Sequence, residues 1–367
     1  MNILFVSSAR GWGGGEVWLR EICEGLAKRG HRTAIACRQE SEIMKRLGGG
    51  AVRLLPVRLA GELDPSAVLA LRGVMRAERT GLVCCNMEKE FRIGGMAARL
   101  AGVPIVMSRE VDRPIKNTLV NRYFYGRIGS GIMVNSHATR ETLITSAPWL
   151  ASQRIEVVWK GIDTDTPAHA RAAAVREQFH LRSDDVVAGF VGRLDEQKGI
   201  IALLEAMKIA AAKNARIKLV IAGDGNQYDT IVEFVKANGL AERIFLAGFR
   251  DDVPAFMKAI DFLVMPSLWE GFGYSAVEAM AASKAVIATN VSSLPEIVRD
   301  GETGILVPPG SPDPLANAML VLASRPDLAA AYGAAGAIRA RTLFNLTTMV
   351  ERTEKFFLET VQSRRQR

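Results

Sequence analysis

Histidine is scarce in this chain of 367 residues: four are present, His31, His137, His169 and His180, and they form no cluster. Cysteine is equally sparse, and Cys23, Cys37, Cys84 and Cys85 form no CxxC pair, so a zinc site is not expected. Adjacent Cys84 and Cys85 fall in an apolar run that reads as a strand, which makes them candidates for buried, reduced thiols. No apolar run approaches the ~18–20 residues that a membrane span needs. The opening MNILFVSSARGWGGGE meets a glycine turn after about six apolar positions and has no basic start. It does not read as a signal peptide, and the expectation is a cytoplasmic protein with surface association left open. Low-complexity segments and short repeats are absent as well.

What the chain does have is an uneven charge. The net value is +8, yet residues 1–160 hold 24 Lys and Arg against 14 Asp and Glu, whereas the remainder holds 23 against 25. An anionic partner for the first half follows as an expectation. Nucleic acid is not expected, because no basic stripe is interleaved with aromatics.

Length favours two domains. In the first half, short apolar runs at Ile3–Val6, Thr33–Cys37, Leu82–Cys85, Pro104–Met107 and Ile132–Val134 alternate with helical patterns. One such pattern is the face Leu19, Ile22, Cys23 and Leu26. The second half repeats the rhythm with strands at Val186–Val191, Leu219–Ala222, Phe262–Met265, Val286–Ala288 and Ile305–Val307. Its helices are expected at Ile200–Lys213, Tyr228–Asn238, Tyr274–Ala282 and Pro314–Ser324, with a linker near Asp163–Ala174 around Pro167. Alternation of this kind predicts an α/β chain of two doubly wound parallel sheets, with ligands beyond the carboxyl ends of the strands.

Four segments fall where strands should end. GRLDEQKG, Gly192 to Gly199, offers Arg193 and Lys198 on a glycine-bounded loop before a helix, which suits a diphosphate. AGDG, Ala222 to Gly225, reads either as a tight turn or as glycines that admit a nucleotide to the backbone. PSLWEGFGYSAVEAM, Pro266 to Met280, sets Glu270 in a loop and Glu278 about one turn into a helix. Backbone N–H groups of Phe272, Gly273 and Tyr274 at that helix start suit an anion, and the two carboxylates suit hydroxyls of a ribose and a sugar. GWGGGE, Gly11 to Glu16, is a strand–turn–helix unit but not GxGxxG, so a dinucleotide fingerprint is weak.

These segments together resemble the retaining glycosyltransferases of family 4, which have the GT-B fold: two Rossmann-like domains facing across a cleft. The resemblance spans essentially the whole chain. KGID at Lys160–Asp163 is similar to the family's NGID junction, and VNS at Val134–Ser136 is similar to the end of a late strand of the first domain. The resemblance implies an acceptor-side domain at 1–165, a donor domain at 166–345, and a final helix (346–367, its apolar part Leu346–Val361) crossing back onto the first. It implies a nucleoside-diphosphate sugar as donor, no metal or other cofactor, and a hexosyltransferase-type reaction. Arg193 and Lys198 would bind the diphosphate, Glu270 the donor sugar with Gly271, Phe272 and Gly273 nearby, and Glu278 the ribose. Gly14 and Gly15 would meet the diphosphate from the other domain, Gly223 would lie by the nucleotide, and the stretch Phe249–Val253, with Phe249 and Arg250 as its donor-binding residues, would flank the base.

One loop departs from the family pattern. Where many relatives carry a His, this chain has SREVDRP, Ser108 to Pro114, with Arg109, Glu110 and Arg113 on the acceptor side. Arg109, Arg113 and Lys116, followed by Arg122 and Arg127, are expected to form a cationic surface for the anionic inner face of a membrane. The acceptor would then be a glycolipid or polysaccharide precursor, such as a lipopolysaccharide core or a diphosphate-linked lipid. Asp163-Thr164-Asp165 also resembles a metal-binding Asp-x-Asp, but it sits at the domain junction and is read as linker. A sugar-nucleotide epimerase and a non-catalytic nucleotide-sugar binder remain as other uses of the same fold.

Overall fold

A strand buried on both faces needs apolar side chains at consecutive positions, and β1 (Asn2–Ser7) has them. Leu4 and Val6 enter one apolar layer, Ile3 and Phe5 the other. The computed structural model describes residues 1–50, 52–59, 61, 64–164 and 169–365. Among these the chain divides into two units, Met1–Gly161 with Leu346–Arg367, and Ile162–Asn345.

The first unit holds a parallel sheet of β1, β2 (Arg32–Cys37), β3 (Arg53–Pro56), β4 (Leu82–Cys85), β5 (Ile105–Arg109), β6 (Gly131–Val134) and β7 (Ile155–Val157), in the order β3-β2-β1-β4-β5-β6-β7. Helix Gly14–Lys28 buries Leu19, Ile22, Cys23 and Leu26, the face its spacing predicts. All four cysteines are free and buried. Cys84 and Cys85 point into opposite layers of the sheet, and burial pushes both thiols well above their usual range.

The last helix, Leu346–Arg365, belongs to this first unit and completes one of its two layers. Met349, Val350, Phe356 and Phe357 join Ile3, Phe5 and Trp18 there, with the Phe5 and Phe357 rings 6.3 Å apart. A Cβ on Gly25 would stand 2.4 Å from Val350 Cγ2, so glycine permits this close helix contact. Glu354 ties the helix down through Arg29 and His31, each at 2.7 Å.

The second unit holds β8 (Val186–Val191), β9 (Ile217–Ala222), β10 (Ile244–Gly248), β11 (Phe262–Met265), β12 (Ala285–Thr289) and β13 (Gly304–Val307), in the order β10-β9-β8-β11-β12-β13. Every strand pair in both sheets is parallel. The strand order reverses beside β1 and again beside β8, which marks the carboxyl ends there as binding positions.

Three strands escaped the sequence pattern: β3, β7 and β10, each at a sheet edge and half-buried along much of its length. The linker expectation needs correction too. A helix, His169–Gln178, begins inside it, where the alanine-rich HARAAAV favours helix over an open connection. Pro167 and Asp165 lie outside the described residues.

Candidate functional site

In the second unit the loops after β8, β9 and β11 pack backbone against backbone. Gly223 has φ +149°, and a Cβ there would fall 1.8 Å from the carbonyl oxygen of Gly192. Gly199, at φ +64°, would place its Cβ 2.1 Å from Pro266 O. These glycines therefore let loops touch one another. At Gly223 this supports the tight-turn reading of AGDG, because a neighbouring carbonyl fills the space a side chain would take.

Packed in this way, the loops bring Lys198 and Glu270 together, with Nζ 2.5 Å from Oε2. Both side chains are largely buried. Ser267 Oγ donates to the same carboxylate oxygen at 3.2 Å, and the Gly271 N–H donates to Oε1 at 3.1 Å. Ser292 Oγ accepts from the Glu270 N–H at 3.3 Å. Ser293 Oγ donates to Phe272 O, and Thr289 Oγ1 donates to Ser267 O. The contacts of Ser292, Ser293 and Thr289 carried no signal in the sequence, since each joins residues 21 or 22 apart.

Arg193 stands apart from this pair. Its side chain is 71% exposed and reaches Asp195 at 3.1 Å. Phe272 is buried between the rings of Tyr274 and Phe344. Gly273, at φ +103°, is the N-cap of helix Tyr274–Ala281, and no side chain caps that end. One turn on, Glu278 is half-buried with no cation in contact among the described residues, and burial raises its carboxyl to about 7. Phe249, after β10, is 63% exposed, as a surface for a base requires. Arg250 is not free to join it: its guanidinium is held by both oxygens of Asp252 at 2.8 Å and by Gln178 at 2.9 Å.

In the first unit Gly14 and Gly15 open the helix after β1. Glu110 follows β5 and meets Lys160 at 2.5 Å, while Ser108 Oγ donates to the same oxygen at 2.7 Å. Lys160 is 2% exposed and sits 3.7 Å over the Trp18 ring. Burial pulls its pKa down, and the Glu110 charge works against that shift. Glu90 is buried too; N–H groups of Ser8 and Met87 donate to it, but burial prevails and raises it to about 7. Arg109 requires a correction. It is 2% exposed, paired with Glu88 at 2.9 Å and bonded to the Arg113 carbonyl, so it cannot serve as a surface cation. As the last residue of β5, it is drawn in by the sheet. Arg113 and Lys116 are exposed.

Two doubly wound parallel units with a paired cation and carboxylate at the carboxyl edge of the second define a GT-B glycosyltransferase fold. Residues 172–339 match the family described as glycosyl transferases group 1, and residues 12–166 match glycosyltransferase family 4. The chain belongs to these glycosyltransferases. It is 33% identical over 233 residues to an uncharacterized glycosyltransferase of Methanocaldococcus jannaschii, covering 60% of this chain and 58% of that one. To the UDP-Gal:α-D-GlcNAc-diphosphoundecaprenol α-1,3-galactosyltransferase of Escherichia coli it is 27% identical, with 70% of each covered. Among solved structures, Anabaena HepE with UDP-glucose superposes with a TM-score of 0.85 at 22% identity, covering 99% of this chain and 100% of that one. The aligned stretches span 36% to 70% of the lengths of the curated relatives.

The loop packing yields a test. Gly223→Ala is expected to lower the thermal midpoint of the ligand-free protein by several degrees, because the new Cβ collides with a backbone atom. An unchanged midpoint with weakened nucleotide binding would restore the nucleotide-approach role.

Proposed function

We propose that this chain transfers a hexosyl group from a nucleoside-diphosphate sugar to an acceptor hydroxyl with retained anomeric configuration. The observation that carries the reading is the Lys198–Glu270 pair beside the uncapped helix end at Gly273. The two groups neutralise each other in the ligand-free protein. With donor present, the ammonium turns to the diphosphate, where negative charge grows as the glycosidic bond breaks, and the carboxylate accepts from sugar hydroxyls. Arg193 and the helix N-terminus add positive potential, so the reaction needs no divalent ion. The acceptor oxygen bonds to the anomeric carbon, the diphosphate leaves with the bonding pair, and the acceptor proton passes to a phosphate oxygen. The crystal form of HepE with UDP-glucose supports a nucleotide-sugar donor.

For the acceptor we favour a glycolipid or polysaccharide precursor at an anionic membrane face, in line with the diphosphoundecaprenol-linked substrate in the name of the Escherichia coli relative. The helix Leu119–Tyr123 supports it: Leu119, 85% exposed, together with Val120 and Tyr123, lies among exposed Lys116, Arg122 and Arg127. Apolar tips ringed by cations suit the headgroup boundary. No helix among the described residues is long and apolar enough to cross a membrane.

Lys198→Ala is expected to cut turnover ~100–1,000-fold, with EDTA without effect and the product of the donor's own anomeric configuration by proton couplings. Near-normal turnover in that variant, an inverted product, or full reversible loss on chelation would each remove the corresponding part.

Glu278 gives a pH test. Its carboxyl is mostly protonated below about 7, and hydroxyl donors from a ribose favour the ionised form. Binding of UDP or another nucleoside diphosphate should therefore release a proton near pH 6, and affinity should climb as pH rises toward 7 and level off above it. Calorimetry in buffers of different ionisation heat reads this directly. Glu278→Gln should abolish the release, and an identical release in that variant would reassign the ribose contact.

Recovery on anionic vesicles should fall with salt and drop several-fold in Leu119→Ser/Tyr123→Ser. Equal recovery on neutral vesicles, or no change in the variant, would leave the acceptor soluble.

A further inference from the structure

Three arginines converge at the carboxyl edge of the first sheet, on its β3-β2-β1 side. Arg10 lies three residues past β1, Arg38 directly follows β2, and Arg58 follows β3 by two residues. They line one cavity of about 530 Å³ together with Gln39 and Glu40. Arg38 is locked in place: its Nε donates to Ser8 O at 2.9 Å and its Nη2 to Leu59 O. The backbone around it is fixed as well, with the Val57 N–H donating to Cys37 O at 2.8 Å and the Glu42 N–H to Arg10 O at 3.0 Å.

Arg10 and Arg58 are exposed, and neither side chain makes a hydrogen bond or ion pair with a described residue. Asp64 feels the charge of Arg58 at longer range, but its carboxylate is taken up by Ser66 at the helix start. Glu40 is the one acid among the described residues lining the cavity. Three guanidinium groups against one carboxylate around a hollow repel one another until an anion arrives. Guanidinium forks match paired phosphate oxygens, and the volume is in the range of small-molecule sites.

We propose that this cavity binds a phosphate or diphosphate group of the acceptor. The donor's own diphosphate is assigned to the second unit, so this would be a separate anion. As an anion site the proposal stands on the geometry alone; as the acceptor's anchor it rests on the glycosyl-transfer reading.

The test titrates inorganic pyrophosphate into the full chain and into Arg10→Gln/Arg58→Gln, each in saturating UDP to occupy the donor site. Both arginines are exposed, so the variant should fold, which its thermal midpoint checks. Pyrophosphate affinity should fall about tenfold or more, the loss of two charge-assisted contacts, with UDP affinity unchanged. An Arg99→Gln/Arg140→Gln variant, equal in charge but remote in sequence, should bind as wild type does. The same isotherm in all three proteins, or the same loss in both variants, would overturn the site. Vesicles of phosphatidylcholine with and without phosphatidic acid separate the sources. A loss confined to pyrophosphate supports a soluble phosphorylated acceptor, and a parallel loss of binding to the phosphatidic acid vesicles supports a lipid-borne phosphate. Intact transfer to a crude lipid extract in a variant that has lost pyrophosphate binding would uphold the anion site and overturn its acceptor role.

Discussion

Contact between the backbones of neighbouring loops is the constraint on which the second unit's carboxyl edge depends. A parallel sheet delivers each strand end beside the next, so the loops that follow must share the space there. Gly199, Gly223 and Gly225 all take positive φ and all stand where a side chain would strike a carbonyl of another loop. Because backbone, not flexible side chain, fills those spaces, the loops have little freedom to adjust. Lys198 and Glu270 inherit their distance from this arrangement. Neither residue sets it alone.

Both units use the same electrostatic device at that edge. In each, a lysine withdrawn from water is matched with a glutamate: Lys160 with Glu110 in the first, Lys198 with Glu270 in the second. Removing a charge from water costs several kcal/mol, and the partner with its hydroxyl donors offsets that cost. Glu90 and Glu278 show the contrast. Neither has a contacting cation among the described residues, and both carboxyls are lifted to about 7. Two kinds of carboxylate thus lie at these edges, one paired with a buried lysine and one, without such a partner, lifted toward neutrality.

Most of the fold was legible because strands buried on both faces leave unbroken apolar runs. The central strands β1, β4, β8 and β11 were read almost to the residue. The edge strands β3, β7 and β10 were not, since a half-exposed strand of three to five residues has no distinctive pattern. The glycine-bounded loop with Lys198 and the Glu270 segment stood out as candidate site segments. Their meeting could not be read, because it depends on packing between residues 72 apart. Arg109 misled for a related reason. Its charge implied surface, whereas its position at the end of β5 placed it inside. The arginine cavity gathers one residue from each of three loops and leaves no local trace at all.

The return of the last helix to the first unit has a consequence for the order of folding. Residues 162–345 are contiguous, so the second sheet and its core can close as soon as that stretch has been made. The first unit cannot. One of its two apolar layers contains Met349, Val350, Phe356 and Phe357, residues that leave the ribosome only after the whole second unit. Until then β1 and the helix after it expose the face meant for those side chains. The half of the chain synthesised first is therefore the half finished last, and it passes through synthesis with an open hydrophobic flank that nascent-chain chaperones could occupy.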